Sequence, residues 1–503
     1  MALTKATYSM ISGAPINVFD YMTEAQIVDV RNRVASIDVS GAIQAAIDAN
    51  HGREIFLPSG TYRCESPIVM GGNGFQYDII RGEGFPAYRQ GTLINFINCN
   101  GFELVAAQQS ISNLYIYGQK SGGTVDPDTL TFGNVGIYIS GPGAINGSGA
   151  GIMNVTIENF DTGVATKNTT TSGWAGAYFI ITNLKILYCV VGAAFCQTTT
   201  QVDWNGGQIT SCTKHGLYTG PYAYAYQSVV LVNVLMEVCG TDVGGAPGNS
   251  IANAGICIRG ICKFGMYGGY MEEVRNVFVD QYCSASFKKT WIQNVTNFYG
   301  QGEIDPGDSM GVEGLIISDN YDVTTFTNSL VTVTSTNSAA NPRCYRIQST
   351  SASGTPQIYN DYLIPNKGSV NYDAISIQNI DKSVLFWVKV QFQVKYVTYA
   401  PSQMGTGGTN PLTPDIRAFS YTSNESQPNN NICDLAAYNC SDGKWHQITQ
   451  IKQIRAGSSY VNDTVNYIRW TLALGNNDYS GTALDMYIKA PVVTMFTQNG
   501  QQA

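Results

Sequence analysis

Five short segments in the middle of the chain repeat one pattern, and this repeat limits the possible folds more than any other feature. Each segment begins with Asn or Gly and then alternates apolar with polar residues, which is typical of a β-strand. The segments start 29, 23, 27 and 35 positions apart, and a weaker sixth copy starts 26 positions further on, at Asn294. They are NVTIE at 154–158, NLKIL at 183–187, GGQIT at 206–210, NVLME at 233–237 and GGYME at 268–272.

A second strand-like run follows each segment after a short turn. One supersecondary unit that recurs with irregular spacing predicts a stack of coils whose length differences lie in the loops. With three short strands per coil, the pattern predicts a parallel β-solenoid, in which equivalent residues of successive coils lie about 4.8 Å apart. The second runs are VATK at 164–167, AAFC at 193–196, LYT at 217–219, ICIR at 256–259 and VFVD at 277–280.

The register of the coils can be predicted from the fourth residue of each segment, which is apolar in all five copies and should point inward. Three positions later stand Phe160, Cys189, Cys212, Cys239 and Val274. We therefore expect a buried stack with three successive cysteines. Because cysteine packs well as a small buried side chain, these thiols are interpreted as core residues and not as redox groups.

The two ends of the chain differ from the repeat. One amphipathic helix is predicted over 41–50, where it would cap the open end of the solenoid. After about residue 315, alternating strands at 383–393 and 466–474 indicate an antiparallel β-sandwich. The predicted organisation is a neck and helical cap at 1–53, the solenoid at 54–315, a linker at 316–340 and the sandwich at 341–503.

Composition excludes several classes of function. Hydrophobic residues make up 44% of the 503 residues, which excludes a disordered chain, and only 13% are charged. The net charge of −8 without a basic block argues against nucleic-acid binding. We find no secretion signal, and Lys185 interrupts the most apolar stretch, so no membrane insertion is expected. With three His and no CxxC pair among twelve Cys, the sequence predicts no metal site and no cofactor.

Four segments near the N-terminus resemble the start of bacteriophage tailspikes, which are capsule or O-antigen depolymerases of the pectate-lyase-like superfamily. They are ATYSMISG at 6–13, PINVFD at 15–20, SGAIQAAID at 40–48 and IFLPSGTY at 55–62. The match covers about sixty residues. It begins so close to the N-terminus that we expect either a trimmed chain or attachment through a very short segment.

The resemblance implies an all-β fold: a right-handed parallel β-helix with an N-terminal capping helix and a C-terminal antiparallel β-sandwich. It also implies a homotrimer that binds or cleaves capsular or O-antigen polysaccharide. The protein would then belong to the phage tail of the virion, after synthesis in the bacterial host cytoplasm. Its N-terminus would contact a tail or baseplate protein.

Paired carboxylates are the chemistry that glycoside hydrolysis requires, one as general acid and one as nucleophile or base. In the predicted register, Glu237 and Glu272 point outward from adjacent coils, about 5 Å apart. Two like charges at this spacing favour a proton held by one of them. Glu273 follows directly, and Asp203 is a third candidate carboxylate. Outward glutamates of a solenoid are also often simply solvated, and this alternative stays open.

Aromatic side chains in the same coils could hold a sugar, because Tyr and Trp offer an apolar face and a polar tip. About half of them are expected to be core or subunit-contact residues instead. His215 is expected in a surface turn, and Arg259 is expected to form a structural ion pair with Asp280 on the neighbouring coil, although His215 and Arg259 could both contact substrate. The candidate substrate-binding residues are Trp174, Trp204, Tyr222, Tyr224, Tyr226, Tyr270, Arg259 and His215.

Three functions remain compatible with the sequence. The preferred one is an endo-glycosidase that hydrolyses a surface polysaccharide. The second is a lyase for uronate-containing polymers, for which Arg259, Lys263 and His215 are available without forming an evident cluster. The third is an adhesin that binds the polysaccharide without cleaving it. Products with new reducing ends would separate the first from the third, and an unsaturated uronate product would identify the second.

Overall fold

The structure of the protein is a computed structural model. It describes residues 14–72, 77–84, 91–106, 108–140, 150–166, 178–196, 201–220, 227–240, 254–293, 297–300, 302–305, 315–318, 325–326, 331–336, 344–349, 357–363, 385–398, 412–419, 444–455, 467–474 and 484–497. Among these residues, no helix reaches the length and apolarity that crossing a membrane requires.

Two α-helices and 35 strands are described, together with 3-10 turns at Val18–Tyr21 and Pro127–Thr129. The helices are α1 (Glu24–Arg31) and α2 (Ser40–Asp48). The strands of the first half are β1 (Ile16–Asn17), β2 (Glu54–Leu57), β3 (Gly60–Cys64), β4 (Ile68–Met70), β5 (Ile79–Gly82), β6 (Thr92–Phe96), β7 (Phe102–Leu104), β8 (Ser110–Tyr117), β9 (Val135–Ile139), β10 (Ala150–Glu158), β11 (Thr162–Thr166), β12 (Tyr178–Leu187), β13 (Val191–Phe195), β14 (Gln201–Thr210), β15 (His215–Thr219), β16 (Gln227–Val232) and β17 (Leu235–Glu237).

The strands of the second half are β18 (Ile256–Ile258), β19 (Cys262–Tyr267), β20 (Tyr270–Glu272), β21 (Asn276–Val279), β22 (Ser284–Lys288), β23 (Trp291–Gln293), β24 (Asn297–Gly300), β25 (Glu303–Asp305), β26 (Leu315–Ser318), β27 (Thr325–Phe326), β28 (Val331–Thr336), β29 (Cys344–Ser349), β30 (Gln357–Leu363), β31 (Leu385–Thr398), β32 (Leu412–Phe419), β33 (His446–Arg455), β34 (Tyr467–Leu474) and β35 (Leu484–Thr497).

The chain divides into two compact units. Unit 1 comprises Met1–Asp242, Gly255–Val274 and Lys288–Gln293, and unit 2 comprises Val243–Ala254, Arg275–Phe287 and Asn294–Ala503. Short strands lie within the segment 316–340. The domain boundaries at 53, 315 and 340 stay predictions.

Unit 1 is a parallel β-helix, as the repeat predicts. One sheet runs in the order β1-β2-β5-β8-β10-β12-β14-β16-β19, and β17, β20 and β23 continue from β14. A second sheet runs in the order β4-β7-β9-β11-β13-β15-β18. These strands pair in parallel, and each segment of the repeat lies beside its next copy. The chain therefore alternates between the two sheets as it winds.

The predicted register is confirmed. Ile157 pairs with Ile186, Ile186 with Ile209, Ile209 with Met236, and Met236 with Met271. These side chains are buried, and so is the stack from Phe160 through the three cysteines to Val274. Strand alternation then turns the residues on either side of each buried position outward, which is how the candidate site is exposed.

The bend between the first and second half of each long strand is made by residues with positive φ. Asn154 and Asn183 adopt φ values of 53° and 51°, and Gly206 adopts 69° at the next coil. The Asn183 amide donates to Asn154 Oδ1 at 3.0 Å, and the Asn154 amide donates to Asn113 Oδ1 at 3.1 Å. Asparagine tolerates this backbone region and its side chain bonds to the next copy, so the repeat begins with Asn or Gly for a structural reason.

Two further copies of the segment flank the five in the sequence pattern. The residues 113–117 precede them, because Leu114 pairs with Val155. At the other end, Tyr270 pairs with Trp291 and Met271 with Ile292. The sixth copy therefore lies at β23, and its predicted start at Asn294 was wrong. The apolar–polar alternation around Thr290 is weak, since lysines precede it.

The predicted helix is confirmed as α2, which buries Ile43, Ala46 and Ile47. Its Gln44 side chain accepts from Val69 N at 2.8 Å and donates to Val69 O at 3.0 Å, so α2 is bonded to β4. The helix α1 was missed by the sequence analysis. It begins with a capping box in which Thr23 and Gln26 exchange hydrogen bonds, and this T-x-x-Q spacing is a recognisable signal.

Unit 2 contains parallel pairs, β21 with β24 and β22 with β25, and two antiparallel arrangements. In the first, β33 pairs with β24 and β31, and β35 joins β31, β29 and β26. In the second, the order is β27-β30-β34-β32. The strands predicted at 383–393 and 466–474 are β31 and β34, so the change to antiparallel structure is confirmed.

Candidate active site

Glu237 and Glu272 are direct neighbours on adjacent parallel strands. Each is the last residue of its strand, β17 and β20, and the two are paired in register. The inward Met236 and Met271 force both glutamates outward, where each side chain is half-buried. Paired positions on adjacent strands are about 4.8 Å apart. The structure therefore brings together the two carboxylates that the sequence predicted as a pair, although 34 residues separate them.

The carboxylate of Glu237 faces neutral donors from the preceding coil. Its Oε2 lies 3.3 Å from Gln208 Nε2 and 3.5 Å from Thr210 Oγ1. Gln208 Nε2 also donates to Thr210 Oγ1 at 2.5 Å, which orients the amide. Because β14 holds both donors, Glu237 has a fixed orientation without a cation beside it.

Tyr270 links the carboxylates of this cluster. It precedes Glu272 by two positions, and its hydroxyl hydrogen-bonds to Glu272. Desolvation, followed by this bond and by the negative charges of Glu272, Glu237 and Glu273, raises the pKa of Tyr270 to about 12. All three predicted glutamates therefore lie close enough to act on one phenol. Glu273 itself is exposed in the following turn, where it adopts a φ of 53°.

Trp291 is a candidate binding residue that the sequence analysis missed. It is the register neighbour of Tyr270 on the next coil, and its side chain is 42% exposed. An exposed indole beside a carboxylate pair offers an apolar face for a sugar ring. Placing the start of the sixth copy five residues earlier, at Lys289, would have revealed Trp291.

The outward positions of seven successive coils form a row, which we call the outer strip; within it, Tyr115 and Thr156 are buried. It is polar and aromatic, with the carboxylate cluster near one end. At the other end, the Tyr115 hydroxyl donates to Glu158. The strip comprises Tyr115, Tyr117, Thr156, Glu158, Lys185, Leu187, Gln208, Thr210, Leu235, Glu237, Tyr270, Glu272 and Trp291.

Asp203 and Trp204 do not join this cluster. Asp203 is outward on the first half of β14, where it accepts from Tyr178 Oη at 2.9 Å and from Gln201 Nε2 at 3.1 Å. Seven residues and the bend at Gly206 separate it from Thr210, so its catalytic role stays a prediction. The prediction that Trp204 binds a sugar was wrong. Its side chain is 1% exposed, and its indole donates to Gly206 O at 2.9 Å. Neighbouring residues of a strand face opposite sides of the sheet. Because Asp203 points outward, Trp204 must point inward.

His215 and Arg259 are also placed differently from the prediction. His215 begins strand β15 instead of lying in a surface turn, and at 2% exposure it packs against Tyr218 with 5.2 Å between ring centroids. This burial removes it from contact with a polymer. The Arg259 guanidinium donates to Asp128, which also accepts from the Tyr218 hydroxyl. This bonding accounts for Arg259 structurally, and its role toward substrate stays a prediction.

Four predicted aromatic residues lie outside the described residues: Trp174, Tyr222, Tyr224 and Tyr226. No statement about their contacts follows from the structure. Within the described part of the chain, no group of three His, Cys, Asp or Glu side chains could hold a metal ion.

Solved structures that align with this chain include phage tailspike proteins. The enzymatically active domain of tailspike protein 4 from bacteriophage CBA120 is 10% identical, with 96% of this chain and 68% of that chain covered and a TM-score of 0.28. Tailspike gp49 of Acinetobacter baumannii bacteriophage Fri1, a capsular polysaccharide depolymerase, is 11% identical, with 89% and 84% covered and a TM-score of 0.26.

A third structure is the phiAB6 tailspike in complex with three-repeated oligosaccharides of Acinetobacter baumannii surface polysaccharide. It is 13% identical, with 92% of this chain and 87% of that chain covered and a TM-score of 0.26. No protein-family model and no curated protein sequence matches the chain. With identities and TM-scores this low, the β-helix assignment rests on the strand pairing of the chain itself.

Proposed function

We propose that this protein is a phage tailspike depolymerase that hydrolyses a capsular or O-antigen polysaccharide of its bacterial host. The observation that supports hydrolysis is the register pairing of Glu237 with Glu272 on the outer side of the helix. Two outward glutamates on strands about 4.8 Å apart, beside an exposed tryptophan, form a site for glycosidic cleavage. The tailspike assignment follows the resemblance of the segments at 6–62.

The two carboxylates are assigned different roles. Glu237, whose Oε2 faces Gln208 and Thr210, is assigned the role of nucleophile or base. Glu272, its neighbour on the next coil, is assigned the role of general acid, which protonates the glycosidic oxygen. Tyr270, which stays protonated at neutral pH, orients Glu272 through its hydroxyl.

The spacing of the pair also predicts the stereochemical outcome. Retaining glycosidases place their carboxyl groups about 5–5.5 Å apart, and inverting enzymes about 6.5–9.5 Å. Adjacent strands bring Glu237 and Glu272 near the shorter range, so we expect the anomeric configuration to be retained. Proton NMR of the first product formed from a cleaved polysaccharide measures this, and an inverted product would contradict the direct-neighbour geometry.

The Glu237→Gln and Glu272→Gln variants should each lose cleavage, by roughly 10³-fold or more, because general acid–base and nucleophilic steps contribute at least that much. Reducing ends released from susceptible polysaccharide measure the loss, and circular dichroism checks the fold. Glu103→Gln is the matched control, since Glu103 lies on β7 of the second sheet and pairs with Asn100 at 2.9 Å. Full activity in both site variants would contradict the assignment.

The products distinguish the other two functions. A lyase would release an unsaturated uronate, detected by ultraviolet absorbance, whereas an adhesin would bind the polymer and release no new reducing ends. His215 is buried, Arg259 is paired with Asp128, and Lys263 lies on β19 in register with Ser228. None of the three residues of the lyase hypothesis is a register neighbour of Glu237 or Glu272. Hydrolysis is therefore the function that the geometry supports best.

A further inference from the structure

The outer strip contains one cation among its carboxylates. Lys185 lies on β12, in register with Thr156 on one side and Gln208 on the other. Its side chain is half-buried, and Glu158, Glu237 and Glu272 occupy other coils of the same strip. The chain is poor in charge and has a net charge of −8, so a half-buried lysine at this place is an unusual feature of the surface.

Lys185 has no electrostatic partner in the part of the chain that the structure describes. No hydrogen bond or ion pair joins it to a described residue. Glu158, on the preceding coil, accepts instead from the Tyr115 hydroxyl. Gln208, on the following coil, is bonded to Thr210 and Glu237. Withdrawing an ammonium group partly from water without a partner is unfavourable, so the position favours a ligand that supplies the missing anion.

We propose that Lys185 binds the anionic group of an acidic sugar, a carboxylate or a phosphate, in the polysaccharide cleaved at Glu237 and Glu272. This inference rests on the proposed function and specifies its substrate class. Two coils separate Lys185 from Glu237, which corresponds to about 10 Å along the strip. The charged sugar is therefore bound at a subsite away from the bond that is cleaved.

The charge distribution explains why a cation is placed there. A polyanion approaching the strip is repelled by Glu158, Glu237, Glu272 and Glu273, because like charges in a partly desolvated groove cost free energy. An ammonium group is a compact point charge that offsets this repulsion at one coil. Lys185 thereby also sets the register, since the acidic sugar of each repeat is held two coils from the carboxylate pair. A neutral polymer needs only the Tyr, Gln and Thr side chains of the strip.

The test compares Lys185→Met with the wild type on a panel of bacterial capsular and O-antigen polysaccharides of known repeat. The panel has three classes: neutral, carboxylate-bearing and phosphate-bearing. Methionine keeps the apolar stem and removes the charge. Lys288→Met is the matched control, because Lys288 is exposed at the end of β22, outside the strip. Lys185→Arg keeps the charge and should retain most of the binding.

We expect the wild type to cleave an anionic polymer. The Lys185→Met substitution should raise KM for this polymer about tenfold and leave kcat nearly unchanged, because it removes one bond to a charged group. Chemical reduction of the carboxylates of a carboxylate-bearing polymer should raise the KM of the wild type for that polymer by the same factor. Preference for one anionic class identifies the group. Cleavage of neutral polymers only, or equal KM for Lys185→Met and wild type, would overturn the inference while leaving hydrolysis intact.

Failure of the proposed function would look different, because no polymer of the panel would be cleaved. In that case, binding of the same polymers by the wild type and Lys185→Met still decides the role of Lys185. Weaker binding of anionic polymers by Lys185→Met supports the subsite. Binding that the substitution leaves unchanged, or an absence of binding to every anionic polymer, rejects it.

Discussion

At the scale of single residues, backbone conformation decides which side chains the repeat can contain. Gly207 and Gly269 adopt φ values of 106° and 79° just after the bend. A Cβ at Gly269 would lie 2.3 Å from Val234 O, and one at Gly207 would lie 2.1 Å from Leu184 O. These glycines are required by close packing of one coil on the next, and they hold Tyr270 and Gln208 at their places in the outer strip.

The Gly269→Ala variant should therefore be destabilised by about 2–4 kcal/mol, from an unfavourable left-handed backbone together with overpacking. Gly206→Ala isolates the backbone contribution, because Gly206 has a φ of 69° but a Cβ there meets no atom within 4 Å. We expect Gly206→Ala to cost about 1–2 kcal/mol. Urea denaturation followed by circular dichroism measures both values, and equal losses would show that packing against Val234 is unimportant.

The thiol of Cys189 should be unreactive in the folded protein. The pKa of the Cys189 thiol is raised to about 12, mainly because the side chain is buried. The thiolate is therefore almost absent at pH 8. Cys99 is the comparison, since it is only half-buried and its pKa is raised to about 11, again chiefly by burial. Iodoacetamide labelling followed by peptide mass spectrometry should modify Cys99 first and Cys189 only after denaturant. Rapid labelling of Cys189 in native buffer would contradict its place in the buried stack.

At the scale of elements, side-chain hydrogen bonds between the asparagines at the bends join successive coils in addition to the strand pairing. We call this row of bonds the bend ladder. Asn113, Asn154 and Asn183 are linked amide to amide, and each adopts a positive φ. The same column continues with Gly206, Asn233 and Gly268. The ladder thus combines two requirements, a left-handed backbone and a polar side chain that is satisfied by its neighbour. The segments of the repeat are recognisable in the sequence because both requirements restrict the same position.

Asn183→Ala should lose about 2 kcal/mol of stability, because it removes the amide bond to Asn154 and places alanine in the left-handed region. Asn183→Gly keeps the backbone freedom and loses only the amide. The difference between the two variants in thermal denaturation measures the two contributions separately. If Asn183→Gly is as stable as the wild type, the amide ladder contributes nothing.

At the scale of the whole molecule, the tailspike resemblance predicts a homotrimer. Unit 1 exposes Met153 on β10, Ile180 on β12 and Tyr267 on β19, all large apolar side chains. These three side chains lie on one sheet, and exposed apolar side chains on one face are candidates for contact with another chain. This face lies on the first halves of the long strands, before the bend, whereas the outer strip lies after it. A trimer that uses this face would leave the strip open to a polymer.

Light scattering after size-exclusion chromatography should therefore give three times the mass of one chain. Ile180→Lys should shift the mass toward one chain, because a charge replaces an apolar contact. Val34→Lys introduces the same charge at an exposed valine in the loop after α1 and should leave the mass unchanged. A wild-type mass of one chain would contradict the predicted trimer.

The local pattern of the sequence was sufficient to derive the solenoid, the inward stack and the pairing of Glu237 with Glu272. A strand has a period of two, and the bend admits few residue types, so each copy of the segment reveals its own register. The same rule would have placed Trp204 inward, and the T-x-x-Q spacing would have revealed α1. These two errors came from incomplete use of local information.

Only the tertiary structure decided which distant groups meet. Arg259 pairs with Asp128 from 131 residues earlier, His215 is buried against Tyr218, and Trp291 follows Tyr270 on the outer strip. Among the residues that the structure describes, Lys185 forms no ion pair, and Glu158 on the preceding coil accepts from Tyr115. Such choices depend on loop lengths and on the packing of whole coils. The sequence by itself determines which way a side chain points, and the folded chain determines what it meets there.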